Sequence, residues 1–293
     1  MSTLSPISRG LLIMALGIAL MSVMDAMIKH LTDHLSAAQI LFFRSLFGFI
    51  PLLYIIAKQG GIKSVHTKRP VLHLFRAVLG AIMFVGFTIG LREMSLANAL
   101  AICFSAPFFM VGLSALLIGE KIGFHRICAV IAGFIGVMIV LQPDDGIFGG
   151  GAGYMMVVAV SYALTQVLAR KYKESETALS YTFWTTLGMS LIGFTFSLFF
   201  WQELTFFNLL WCVAMGLFGT VAHYFMTEAA RITSPIIVSP MEYTALIWAA
   251  VFDWTFWHVI PEQATVAGSL VIVASGIYIL WRERTQSHES LSL

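Results

Sequence analysis

The sequence is poor in charge. Of its 293 residues only 11% are Asp, Glu, Lys or Arg, while 59% are hydrophobic. Soluble domains carry about 25% charged residues, so a water-soluble surface is excluded. Cysteine is scarce as well. Cys103, Cys128 and Cys212 lie in separate apolar stretches, without the CxxC or Cys/His spacing of a zinc site, and their odd number argues against a disulfide framework. There is no GxSxG, no HExxH and no Walker-type GK[ST] loop. These gaps remove the nucleophile–base and metal constellations of a membrane-embedded enzyme, and direct ATP drive. No catalytic residue, metal ion or cofactor is expected. The net charge of +2 is too small to imply a nucleic-acid partner.

What the chain does have is length in oil. A helix needs about 20 mainly apolar residues to cross the hydrocarbon core. Ten stretches qualify: 9–29, 37–57, 71–91, 96–118, 122–142, 151–170, 179–200, 207–228, 236–257 and 262–281. Strands would need barrel closure and a two-residue alternation that is not present. With the N-terminus placed in the cytoplasm, thirteen of the 17 Lys and Arg fall on the inner side. Only Lys29 and Arg92 fall outside, and Arg44 and Arg76 lie within spans. That bias predicts both termini in the cytoplasm.

The span spacing repeats after about 138 residues. Five spans per half is an odd number, so the second half must enter from the opposite side. The expected fold is an all-α integral membrane protein of ten transmembrane helices, built as two inverted five-helix repeats. Residues 1–145 and 146–282 form the repeats, and 283–293 a cytoplasmic tail. Inverted repeats place a substrate site near the midplane at their interface and move it by alternating access.

Three segments carry a resemblance. "MDAMIKHLTDHLSAAQILFFR" (24–44), "ALAICFSAPFFMVGLSALLIGEK" (99–121) and "SPMEYTALIWAA" (239–250) resemble EamA-type members of the drug/metabolite transporter superfamily. The GE that closes the second segment has no equivalent in the second half, where Trp257 and His258 stand. Within the superfamily the chain is most similar to bacterial amino-acid exporters, including the aromatic amino-acid and paraquat subgroup. The resemblance implies a secondary transporter of the bacterial inner membrane that exports amino acids, aromatic or hydrophobic ones first, and related small amphiphiles. It also implies that spans three, four, eight and nine line the pathway. The expected partners are a small-molecule substrate and the lipid bilayer, with the chain working as a monomer. A membrane-embedded enzyme and a channel are the rival readings of the same spans.

Ionisable residues inside spans are costly, from about 2.5 kcal/mol upward, and need a partner or water. Asp25 lies four residues before Lys29, in the order that favours a helical ion pair, and Arg44 sits at similar depth on the next span. The spacing predicts an Asp25–Arg44 or Asp25–Lys29 pair that ties or gates the outer end. Arg76, His223 and Glu242 fall toward the cytoplasmic side, with Glu242 and Pro240 at the inner mouth near Arg76 or His223. Pro107 interrupts span four near its middle. Phe87, Phe104, Phe108, His223, Tyr224, Tyr243 and Trp248 are candidates for an aromatic substrate cavity.

Overall fold

The computed structural model describes residues 6–119, 124–141, 151–172, 175–232 and 239–289. The described residues fold into helices: α1 (Pro6–Leu31), α2 (Ala37–Lys58), α3 (Pro70–Glu93), α4 (Leu96–Cys103), α5 (Ala106–Ile118), α6 (Phe124–Leu141), α7 (Ala152–Lys171), α8 (Ala178–Ser197), α9 (Phe206–Ile232), α10 (Ala245–Trp257) and α11 (Gln263–Glu289). Short 3-10 turns cover Gly61–Val65 and Ser239–Thr244. The boundary expected between 145 and 146 lies outside the described residues. The last helix runs to Glu289, so residues 283–289 continue it.

Local chemistry sets the helix ends. Ser36 opens α2 with a capping box, its hydroxyl accepting from the Gln39 N–H while the Gln39 side chain returns to Ser36. Ser95 caps α4 and Thr177 caps α8 in the same way, each accepting from a backbone N–H three residues on. Pro70 sits in the first turn of α3, where its missing N–H costs nothing. Among the described residues six stretches are long and apolar enough to cross a membrane: Ser8–Leu31, Ala37–Lys58, Pro70–Glu93, Leu96–Ile118, Ala152–Ala169 and Phe206–Met226. Large apolar side chains such as Leu53, Phe199 and Leu270 point outward, as a lipid solvent requires.

The fourth apolar stretch is not one helix. It breaks at Phe104–Ser105, and Pro107 falls in the first turn of α5. The corresponding stretch in the second half is irregular too, with Pro240 inside the 3-10 turn that leads into α10. Proline frees backbone carbonyls and disfavours helix before it. Among the described residues each half therefore carries an irregular, proline-bearing helix.

Helix packing exchanges between the halves. α1 packs on α9 as α7 packs on α3, and α2 on α9 as α8 on α3. Equivalent elements also pack on each other, α2 with α8 and α6 with α11, while α5 packs on α7 and α4 on α10. These equivalent pairs run antiparallel. At one end of the bundle, the first face, the Gln39 side chain donates to the Gln202 carbonyl at 2.9 Å and accepts from its N–H at 2.8 Å, joining the start of α2 to the segment after α8. At the other end, the second face, the Trp184 indole near the start of α8 donates to the Val65 carbonyl just beyond α2 at 2.8 Å. Gly136, late in α6, meets Gly268, early in α11. A Cβ on Gly268 would lie 2.5 Å from the Gly136 carbonyl oxygen, so only glycine permits this crossing.

Candidate functional site

Asp25 lies six residues before the end of α1, and Arg44 seven residues into α2. The short 32–36 connection makes the two helices antiparallel, and 1.5 Å per residue brings both to about 10 Å below their helix ends. Asp25 is buried, and Arg44 is its electrostatic neighbour, but the two form no direct ion pair. The Arg44 guanidinium instead lies over the Phe84 ring of α3 at 5.1 Å. Its Nε is buried with no hydrogen-bond partner, and so is the Oγ of Ser22, three residues before Asp25 on the same face of α1. Cys103, the last residue of α4, faces Asp25. His223 of α9 is a further electrostatic neighbour of Arg44. Two opposite charges are thus held side by side at the meeting of α1, α2, α3, α4 and α9, with polar capacity unspent.

Lys29 does not pair with Asp25, although their spacing predicted it. Its Nζ lies 2.7 Å from the Asp253 carboxylate of α10 and 4.5 Å above the Trp257 ring. Asp253, with no exposed surface, also accepts the N–H groups of Leu96 at 3.0 Å and Ala97 at 2.8 Å. A carboxylate at a helix N-terminus meets unsatisfied donors and the positive end of the dipole. The first face is thereby fastened by one side chain from the second half that holds α1 and α4 of the first.

Arg76, His223 and Glu242 do not converge. The Nη1 of Arg76 donates to the Thr165 carbonyl of α7 at 2.6 Å, and its guanidinium lies over the Tyr181 ring of α8 at 4.3 Å. Glu242 faces Tyr162 and Tyr243. Tyr243 packs on Phe104 at 5.1 Å between ring centroids and covers Gly276 of α11, so it bridges the break of α4 to the last helix. Among the other aromatic candidates, Phe108 is a packing residue, 2% exposed and lodged on Gly133 beside Phe134. Phe87 is half-buried against the core. Tyr224 and Trp248 are exposed, the first beside Phe225 and the second stacked on Phe252. A crevice of about 700 Å³ opens elsewhere, between α2, α3 and α8, lined by apolar residues such as Val85, Ile89 and Phe196 and ending at Arg92 and Gln202.

The second face has its own fastening, which the sequence did not announce. Glu176, in the α7–α8 turn, accepts from Thr67 Oγ1 at 2.9 Å, the Lys68 N–H at 3.1 Å and Ser180 Oγ at 2.9 Å, and meets His73 Nε2 at 3.0 Å. Burial pushes its carboxyl up, but the hydrogen bonds from His73, Thr67, Ser180 and Lys68 outweigh it and hold the pKa down to about 2.

A bundle with an irregular, proline-bearing helix in each half, exchanged packing and a charge pair about 10 Å below its first face is the frame of a membrane carrier. Residues 8–142 and 149–281 each match the EamA-like transporter family. The chain belongs to that family. It is a multi-pass protein of the bacterial inner membrane. Its relatives include an S-adenosylmethionine uptake transporter of Rickettsia prowazekii (strain Madrid E), 25% identical and matched over 92% of both chains. A pseudopaline exporter of Pseudomonas aeruginosa (strain UCBPP-PA14) is 27% identical, over 92% of this chain and 94% of that one. A solved crystal structure shares the fold with a TM-score of 0.66 at 17% identity, covering 95% of this chain and 99% of the other.

Proposed function

We propose that this EamA-family transporter is a secondary carrier for small amphiphilic metabolites that bear an α-amino carboxylate, amino acids among them, and that it exports them by alternating access between inverted repeats. The observation that carries the reading is the unclosed Asp25–Arg44 pair. Two buried opposite charges that do not satisfy each other are expensive. A zwitterion relieves both, its carboxylate taken by the Arg44 guanidinium and its ammonium by Asp25. Phe84 beneath Arg44, and Phe104 and Tyr243 near the helix breaks, suit an apolar or aromatic remainder. S-adenosylmethionine, named for the Rickettsia relatives, is itself such a molecule, with an amino-acid end and an aromatic base. One relative is named for uptake and another for export, so the family supports the chemistry more than the direction.

In this reading the first face looks outward, and the Asp253 fastening closes it while the Glu176 fastening closes the cytoplasmic side. Each half-cycle opens one and keeps the other. The test is counterflow in proteoliposomes with labelled L-tryptophan, L-methionine and S-adenosylmethionine, and with tryptamine as a probe lacking the carboxylate. At least one zwitterion should exchange and tryptamine should not. Asp25→Asn and Arg44→Gln should each weaken apparent affinity roughly 10- to 100-fold, the worth of a charge-assisted hydrogen bond of about 1.5–3 kcal/mol. Exchange that ignores both substitutions would sink the proposal.

A further inference from the structure

The surroundings of Arg76 are chemically unfinished. Its Nε is buried without a hydrogen-bond partner. Tyr181 Oη and Thr185 Oγ1, one turn apart on the same face of α8, are buried and unpartnered too, as is Nδ1 of His73, one turn before Arg76 on α3. Four of the seven such atoms among the described residues therefore gather in one place. The contacts confirm the convergence. The Arg76 guanidinium lies 4.3 Å from the Tyr181 ring, and the His73 and Tyr181 rings are 5.4 Å apart. The Thr185 methyl abuts Gly80, the next turn of α3 beyond Arg76.

Charge in this region is also unbalanced. Glu176 is an electrostatic neighbour of Tyr181, but both of its oxygens are occupied by Thr67, Lys68, His73 and Ser180. Arg69, the other nearby cation, donates to Ser175 and lies over Tyr172. Among the described residues no carboxylate pairs with Arg76. An arginine within a span without a counter-ion is costly, and buried polar atoms left unpaired add to that cost. The free groups are donors: a guanidinium N–H and two hydroxyls, with the His73 nitrogen donating or accepting according to its proton. One fixed positive charge and a set of donors match a monoanion with two oxygens.

We propose that the junction of α3, α7 and α8 at Arg76 is a second anion site, which takes the carboxylate of a small organic acid. Its place in the fold suggests its use. Exchange of the halves sends α1, α2 and α9 to α7, α8 and α3. Thr185 stands seven residues into α8, as Arg44 stands seven residues into α2. The Arg76 junction is the counterpart, near the second face, of the Asp25–Arg44 site. Its role as a second station for the substrate's carboxylate rests on the proposed function; the binding itself does not.

The test is thermal unfolding of the full chain in detergent, with benzoate as probe and benzamide, inorganic phosphate and phosphatidylglycerol as comparisons. Arg44→Gln protein serves as the background, so that the first site is silent. Benzoate should still raise the Tm of this protein, and benzamide should not. Adding Tyr181→Phe or Thr185→Val should raise the benzoate concentration needed at least tenfold, and adding Arg76→Gln should abolish the response. Should the Arg76→Gln chain not fold, the two hydroxyl variants still decide. No benzoate response in the Arg44→Gln background, or one indifferent to Tyr181 and Thr185, overturns the second site. A response to phosphate or phosphatidylglycerol but not to benzoate overturns the carboxylate class. A benzoate response equal in wild-type and Arg44→Gln protein would instead count against the proposed role of Arg44 and leave the Arg76 site standing.

Discussion

The two faces of the bundle are each held by one buried carboxylate, yet the two are built differently. Asp253 is a residue of a helix and grips helices: Lys29 of α1 and the first two N–H groups of α4. Glu176 belongs to a turn and grips a mixture: Thr67 and Lys68 from the segment before α3, His73 from the start of α3 and Ser180 from the first turn of α8. The first fastening buries a full ion pair where water cannot replace a lost partner. The second distributes one charge over four modest donors beside polar segments. Breaking a buried pair by removing one partner leaves the other charge uncompensated, at about 3–5 kcal/mol. Losing one of several hydrogen bonds to a charged group costs about 1.5–3 kcal/mol. The first face should therefore be the harder one to open.

The strongest way to break that contrast is Asp253→Asn. The amide keeps the shape but strands Lys29 and weakens both caps on α4. Unfolding in detergent should lose about 3–5 kcal/mol. Lys29→Met should cost less, because Asp253 keeps its two backbone donors and the methionine fills the site over Trp257 without a charge. Equal losses in the two variants would mean that the caps on α4 contribute nothing and the comparison is misdrawn.

Glu176→Gln probes the other side and should be milder, about 2 kcal/mol, since the amide can still accept from Thr67 and Lys68. Titration separates the two faces further. The Glu176 carboxyl is depressed from its ordinary value of 4.5 to about 2 in the folded chain. A depressed folded pKa contributes stability that is fully present above the unfolded value and is lost as pH falls through the folded one. Stability should thus be level in this respect above pH 4.5 and fall between 4.5 and 2. In Glu176→Gln protein that part of the acid loss should vanish. An unchanged acid limb in the variant would remove Glu176 as its source.

The contrast also marks what could be read from the sequence. The spans, the break at Pro107, the irregular segment at Pro240 and the Asp25–Arg44 neighbourhood follow from apolar length, proline chemistry and depth counting, all of which are local. The Lys29 pairing failed because the i,i+4 rule sees only one helix, while the true partner is 224 residues away. Asp253 did leave a trace, a lone carboxylate inside the aromatic run "AAVFDWTFW" at 249–257, where any acid needs a distant cation. Glu176 and His73 left none. A Glu before a Thr cap reads as an ordinary turn, and only tertiary packing brings Thr67 and Lys68 to it. The Arg76 cluster is hidden for a related reason: Tyr181 and Thr185 look unremarkable in sequence until α8 is laid against α3.

The smallest effect tests the likeness of the halves at their broken helices. α5 ends on Gly119 with φ 80°, and α10 ends on His258 with φ 57°, both left-handed. The missing second GE is therefore a missing residue type with the same backbone bend in its place. The bend at His258 also turns the Val259 N–H back to the Asp253 carbonyl at 3.0 Å, so it is tied to the first-face fastening. A Cβ at Gly119 would meet nothing within 4 Å, so Gly119→Ala isolates the conformational cost of about 1–2 kcal/mol for an L-residue in this region. His258→Gly removes that cost but adds glycine's unfolded-state entropy, about 0.5–1 kcal/mol. The two nearly cancel, and the Tm should move by no more than about 2 °C. A large loss on His258→Gly would mean that the imidazole itself holds the first face, and that the two helix ends are alike in shape only.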